Sequence, residues 1–215
     1  MNVKVKICCI SSEQEGKLAV QMGASALGLV AKMPSGPGPI SDELINSIAK
    51  TVPAHIDTFM LTSETTSSDI IEHHFRTNTN TIQIVDALKE GTYFEIKKAL
   101  PLINIVQVVH VTDESIIDEA LRLSEMVDYL LLDSGNPNAS IKELGGTGRV
   151  HNWNWSKQIV AQSKVPVYLA GGINAKNVNE AIDIVQPFGV DLCSSVRTDG
   201  KLDEKKLETF FKMLQ

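Results

Sequence analysis

Cysteine is scarce in this 215-residue chain: there are three, and two of them, Cys8 and Cys9, are adjacent. That number and spacing do not make an extracellular disulfide framework and fit a reduced, cytoplasmic setting. Long apolar runs are missing too. None approaches the roughly 18 residues of a spanning helix, and residues 1–10 read as a strand with two interior lysines rather than a signal peptide. Nor is there an excess of positive charge. With 20 Lys and Arg against 26 Asp and Glu, the formal charge is -6, which argues against nucleic acid or a membrane as the main partner. A local pocket for phosphate remains compatible with it. No repeat, linker or low-complexity tract interrupts the chain.

What is present is a 43% hydrophobic chain, enough for one substantial core and a single domain over residues 1–215. Short apolar runs alternate with amphipathic segments, the pattern of parallel strands joined by crossover helices. Strands are expected at Val3 to Cys8, Ala26 to Ala31, Ile56 to Leu61, Thr81 to Val85, Ile103 to Val109, Tyr129 to Leu132, Val167 to Ala170 and Val190 to Cys193. Helices are expected near Glu13 to Met22, Asp42 to Thr51, Ser68 to Arg76, Phe94 to Leu100, Glu114 to Met126, Trp155 to Gln162, Ala175 to Val185 and Asp203 to Met213. Eight such units at a mean period of about 27 residues predict a (β/α)8 TIM barrel, whereas an open doubly wound sheet would need fewer strands and a switch point.

The barrel turns position into chemistry, because sites of this fold form at the C-terminal ends of strands. Those ends carry Cys8 and Cys9, His110, Asp133 with the glycine-rich Gly145-Gly146-Thr147-Gly148 after it, Gly171-Gly172, and Cys193-Ser194-Ser195. A carboxylate at the tip of a buried strand, followed by backbone that can approach a ligand closely, suits a site; a capped turn is the competing reading. In the first strand, alternation sends Val3, Val5, Ile7 and Cys9 toward the helices and Lys4, Lys6 and Cys8 inward. Cys8 then stands in the mouth above Lys6, whose charge favours a thiolate, while Cys9 is expected in outward packing. His73 and His74 diverge by about 100° on one helix and make a poor metal pair, so neither metal nor cofactor is expected. Asn152 is expected to cap a helix, with Trp153 in packing.

Six segments, in order, resemble the motifs of phosphoribosylanthranilate isomerases. They are Lys6-Ile7-Cys8-Cys9-Ile10, Gly23 to Val30, Leu131-Leu132-Asp133-Ser134, Gly145 to Gly148, Leu169-Ala170-Gly171-Gly172-Ile173 with Asn177-Val178, and Gly189-Val190-Asp191-Leu192 with Cys193-Ser194-Ser195-Val196. The resemblance implies an Amadori rearrangement of N-(5-phosphoribosyl)anthranilate in tryptophan biosynthesis, with Cys8 as general base and Asp133 as general acid. It also implies a phosphate site at Gly146, Gly171, Gly172, Ser194 and Ser195. The partner expected is a phosphorylated small molecule, and the protein a monomer or homodimer.

Departures from the pattern are as informative. Gly38 stands where the family has an arginine for the anthranilate carboxylate; losing such a charge-assisted contact costs on the order of 2 kcal/mol, roughly thirtyfold in affinity. Lys32, or Arg197 where the family carries glutamate, is a candidate replacement, although both are expected to be solvated. Val85 replaces a polar residue at the end of strand four, which His110 can compensate, and Ser195 replaces a glycine at the phosphate site. These changes also admit a phosphosugar isomerase or epimerase of other specificity, or a non-catalytic phosphometabolite-binding relative.

Overall fold

The structure, a computed structural model, describes residues 3–135 and 150–215. Its strands are β1 (Lys4–Ile7), β2 (Ala26–Val30), β3 (Asp57–Thr62), β4 (Thr81–Ile84), β5 (Asn104–His110), β6 (Tyr129–Asp133), β7 (Val167–Leu169) and β8 (Gly189–Leu192). All pair in parallel, in chain order, and β8 returns to β1 to close the barrel. The helices among the described residues are α1 (Glu13–Met22), α2 (Asp42–Thr51), α3 (Ser67–Thr77), α4 (Tyr93–Ala99), α5 (Ile116–Leu123), α6 (Trp153–Gln162), α7 (Val178–Val185) and α8 (Glu204–Lys212). After β8 come a 3-10 turn, Ser194–Val196, and a two-residue ribbon pairing Arg197–Thr198 with Lys201–Leu202. The expected barrel is therefore observed. None of these helices is long and apolar enough to cross a membrane.

Local chemistry sets the boundaries. Ser12, Ser41, Thr66, Thr92, Asn152 and Asp203 each accept a backbone N–H of the first helical turn, satisfying donors that a helix start leaves free. Asn152 is thus the cap expected of it, and Trp153 packs on the core. Helix α7 begins at Val178 rather than Ala175, because the Asn174 and Asn177 side chains tie the preceding turn to the Gly172 carbonyl. Likewise Asp113 holds Ser115 in a local turn, which delays α5 to Ile116. Strands β5 and β6 each run one residue further than expected, so His110 and Asp133 are paired strand residues, in register with one another.

Two apolar regions result from the alternation of side chains. Val5, Ile7, Leu27, Leu29, Ile82, Ile84, Leu130, Leu132 and Val190 pack outward under the helices. Ala26, Val30, Phe59, Leu61, Val106, Val108, Leu131 and Tyr168 fill the interior. The base of the interior is aromatic: Phe59 meets Tyr168 edge to face at 5.7 Å, and Tyr168 meets Phe188 at 5.4 Å. Gly189 is required there, since a Cβ would lie 2.4 Å from the Tyr168 ring.

Above this floor lies an ion pair. Lys6 is 0% exposed; its Nζ donates to Asp191 Oδ2 at 2.9 Å and stands 5.2 Å over the Phe59 ring. The pair bridges β1 and β8, whose register places Lys6 opposite Asp191. Gly28 leaves the room it needs, because a Cβ there would fall 3.1 Å from Lys6 Nζ and 2.7 Å from Cys8 Sγ. Burial opposes the lysine's charge, but Asp191 and Cys8 outweigh it and hold its pKa above that of an ordinary lysine. Removing one member of such a pair strands the other. Lys6→Met should lower unfolding stability by about 3–5 kcal/mol in urea denaturation, and adding Asp191→Leu should recover most of that loss.

Candidate active site

The C-terminal mouth of the barrel is a pocket walled by strand ends from β1, β2, β3, β4, β5, β6, β7 and β8. Cys8 and Asp133 line it together, with Gly171, Gly172, Ser194 and Ser195. Going from β1 through β8 and β7 to β6, the thiol and the carboxyl stand three strand steps apart, with Asp191 and Ala170 between them. Gly146 and the rest of the Gly145 to Gly148 loop lie outside the described residues.

The two groups sit in environments that push their proton affinities in opposite directions. The hydrogen bond from Cys9 lowers the Cys8 pKa most strongly; burial opposes it, and the Lys6 charge adds to it. Asp133 is raised above the usual carboxylate range, chiefly by burial, which the Ser134 N–H at 2.7 Å, His110 and Lys6 only partly offset. A thiol biased toward its anion and a carboxyl biased toward its acid can act as a base and an acid on one substrate. Lys6 reaches both groups electrostatically from beneath, so its expected role extends across the mouth.

Cys9 corrects the reading by alternation. Strand β1 ends at Ile7, and Cys9 adopts φ 61, a left-handed conformation in which the strict two-residue period no longer holds. Its side chain therefore enters the mouth instead of the outer packing. Its neighbours Cys193 and Cys8, together with burial, raise the pKa of this thiol far above the ordinary range. The Pro34 to Pro39 loop folds over it. Cys9 Sγ lies 3.6 Å from the Pro37 carbonyl, and Gly38, at φ 76, would place a Cβ 2.8 Å from Cys9 Cβ. A side chain at residue 38 would therefore collide with Cys9.

Arg197 is also not where solvation would put it. Its side chain is 8% exposed and is paired with Glu15, and its guanidinium donates to the carbonyls of Cys8, Cys9 and Gly200. It clamps the chain behind the mouth and does not line it. Lys32 is exposed, as expected. His110 follows Val106 and Val108 along β5, beside Asp133, and its Nε2 stands 3.1 Å from the Val85 carbonyl. It opens on the adjoining cavity toward α4 and α5. His73 and His74 have separate partners, Thr62 with Asp42 and the Thr79 carbonyl.

The anion-binding expectation has a geometric counterpart. Gly171 and Gly172 have φ 77 and 67, and a Cβ on Gly171 would fall 2.9 Å from Ser134 Oγ, so this double left-handed turn demands glycine. Across from it the 3-10 turn Ser194–Val196 follows β8, and Ser195 Oγ is buried with no partner among the described residues. Loops after strands seven and eight with a short extra helical turn are where this fold holds phosphate.

Two further lining residues were not singled out from the sequence. Asp191 offers a buried Oδ1 with no described partner, and Gln83 does the same with Oε1. Strand alternation carried the signal: a charged residue two positions after Gly189, and a polar one inside a short apolar strand, must both face inward.

The chain matches the family model described as N-(5'phosphoribosyl)anthranilate (PRA) isomerase over residues 5–213. It is 32% identical to an N-(5'-phosphoribosyl)anthranilate isomerase of Methanosarcina acetivorans, covering 98% of this chain and 92% of that protein. It is 31% identical to the Nostoc punctiforme protein of the same name, covering 99% and 98%. Among solved structures, the phosphoribosyl anthranilate isomerase of Thermotoga maritima superposes with a TM-score of 0.81 at 27% identity, covering 99% and 98% of the two chains. A phosphoribosyl anthranilate isomerase in complex with reduced 1-(o-carboxyphenylamino)-1-deoxyribulose 5-phosphate does so at 0.77 and 26%, with the same coverage. Fold, mouth chemistry and full-length similarity agree, and the chain belongs to the N-(5'-phosphoribosyl)anthranilate isomerase family.

Proposed function

We propose that this chain rearranges N-(5'-phosphoribosyl)anthranilate to 1-(2-carboxyphenylamino)-1-deoxyribulose 5-phosphate at the barrel mouth, in tryptophan biosynthesis. One observation carries the reading: a thiol and a carboxyl with oppositely displaced proton affinities line the same pocket. Asp133, protonated, gives its proton to the ribose ring oxygen; the bond from that oxygen to C1 breaks, and the anilino nitrogen takes up the positive charge as an iminium ion. Cys8, as thiolate, then removes the C2 proton, and the electron pair of that bond neutralises the iminium to an enolamine. Tautomerisation, with a proton delivered to C1, gives the 2-keto product. The proton lost from C2 and the one gained by the ring oxygen balance, so no cofactor is required.

Gly172, Ser194 and Ser195 hold the phosphate in this reading, and Gly171 shapes the turn that presents them. The aromatic end then lies toward Met33, Ser35 and Gly36, on the β2 side of the pocket. A second reading, a phosphosugar isomerase of other specificity, draws on that end, because Gly38 packs against Cys9 where the family's arginine would stand. The family relationship favours the first. The phosphate ester is the ligand recognised, and the active unit is a monomer or homodimer.

Loss of phosphoribosylanthranilate fluorescence measures turnover directly. Wild-type protein should consume the substrate, and Cys8→Ala and Asp133→Asn should each lower kcat by about 100-fold or more. An inactive wild type that retains a sugar phosphate supports the second reading. The pH profile of kcat/KM should be bell-shaped: activity needs the Cys8 anion, lost as pH falls, and the Asp133 acid, lost as pH rises. Because Lys6 acts on both groups, the two limbs give apparent values that belong to the site. For the loop, Gly38→Ala should cost about 1–3 kcal/mol in thermal unfolding, through its positive φ and its contact with Cys9. In a Cys9→Gly background the steric part should disappear, and an equal cost in both backgrounds would contradict that coupling.

A further inference from the structure

Arg197 makes an unusual set of contacts for a residue outside the mouth. Its Nη2 donates to Cys8 O at 3.2 Å, to Cys9 O, and to Glu15 Oε2 at 3.1 Å, while Nη1 reaches Gly200 O at 2.9 Å and Glu15 Oε1 at 3.3 Å. Glu15 is itself fixed. Its Oε2 accepts from Ser11 N at 3.0 Å and its Oε1 from Leu202 N at 2.9 Å. One guanidinium therefore ties the end of β1, the first turn of α1 and the ribbon after β8 to the two peptides flanking Cys9. Those peptides are where the chain leaves the strand and turns left-handed. A bulky L residue holds φ 61 only when its surroundings compel it, at a typical cost of about 1 kcal/mol or more. A guanidinium that meets both carbonyls through Nη2 while Nη1 is fixed by Gly200 and Glu15 is such a constraint, and a lysine, with one nitrogen, cannot make both sets of contacts.

We propose that Arg197, anchored by Glu15, is a positioning residue for Cys8: by pinning the Cys8 and Cys9 carbonyls it turns the chain at Cys9 and holds the Cys8 sulfur beside the Lys6 ammonium. Cys8 Sγ and Lys6 Nζ flank one point, 2.7 and 3.1 Å from where a Cβ on Gly28 would stand, and Arg197 touches neither substrate nor the reacting atoms. The proposal rests on Cys8 being the base when it is read through turnover, but not when it is read through the chemistry of the thiol itself. The groups facing Cys8 are Lys6 on its own strand, Asp191 from β8, the neighbouring Cys9, Cys193 beyond β8, and Asp133 across the mouth on β6. The Arg197 clamp holds the backbone of Cys8 itself and of Cys9.

The test is the pH dependence of Cys8 alkylation by iodoacetamide, resolved by peptide mass spectrometry, together with steady-state kinetics. In Arg197→Met the alkylation midpoint should move to higher pH, because Cys8 leaves its place beside Lys6, and kcat should fall by about tenfold or more with KM within about twofold. Arg197→Lys should restore part of both, because one ammonium can meet the two carbonyls but not Gly200 and Glu15 Oε1 as well. Glu15→Gln, which keeps Arg197 but loosens its anchor, should lie between wild type and Arg197→Met; it serves if Arg197→Met does not fold. Wild-type midpoint and kcat in Arg197→Met, or in Glu15→Gln where Arg197→Met does not fold, would overturn the proposal. A shifted midpoint with no turnover in the wild type would uphold the clamp while rejecting the proposed reaction.

Discussion

The Lys6–Asp191 pair is the constraint around which the mouth is organised. It joins the first strand to the last, so it sits at the seam where the barrel closes. Lys6 is fully buried and the Asp191 side chain is 9% exposed, and a pair so enclosed holds only while both charges keep their partner and their geometry. That requirement fixes Gly28 as a glycine on one side and places Phe59 beneath the ammonium on the other. It also leaves a positive centre below a thiol and a carboxyl. The same charge that closes the barrel therefore favours the Cys8 anion and moderates the rise in Asp133 caused by burial. Stability and chemistry share one group.

Much of this was legible in the chain, and the reasons are physical. Eight apolar runs of period two, separated by capped amphipathic segments, admit few architectures other than a closed barrel. Once the barrel is assumed, alternation puts Lys6 and Cys8 inside without further information. The same rule failed at Cys9, because it applies only while the backbone remains extended, and the strand stops at Ile7. Arg197 was misjudged for a related reason. Its partners come from residues 8, 9, 15 and 200, and no local pattern shows that a surface-type cation will be enclosed by loops distant in sequence. Alternation also sends Asp191 inward together with Gly189, as a charge within the strand rather than at its tip.

The departures from the family pattern become coherent in three dimensions. Gly38 looked like the simple loss of an anchor. In the structure it is what lets the Pro34 to Pro39 loop close on Cys9, and Cys9 in turn is held by Arg197, itself a departure. Residues 38 and 197, both departures, are therefore connected through Cys9 on the β1 side of the mouth. The phosphate side has its own departure at Ser195, while Gly171, Gly172 and the Ser194–Val196 turn occupy the loop positions this fold uses for phosphate.

A crystal structure of this protein with reduced 1-(o-carboxyphenylamino)-1-deoxyribulose 5-phosphate would test the central claim most directly. The account predicts the phosphate between Gly172 and Ser194–Ser195, with Cys8 Sγ and a carboxyl oxygen of Asp133 each within about 3.5 Å of the ribulose portion. A ligand seated in the cavity toward α4 and α5, or one held in the mouth with its phosphate against Met33 and Ser35, would contradict it.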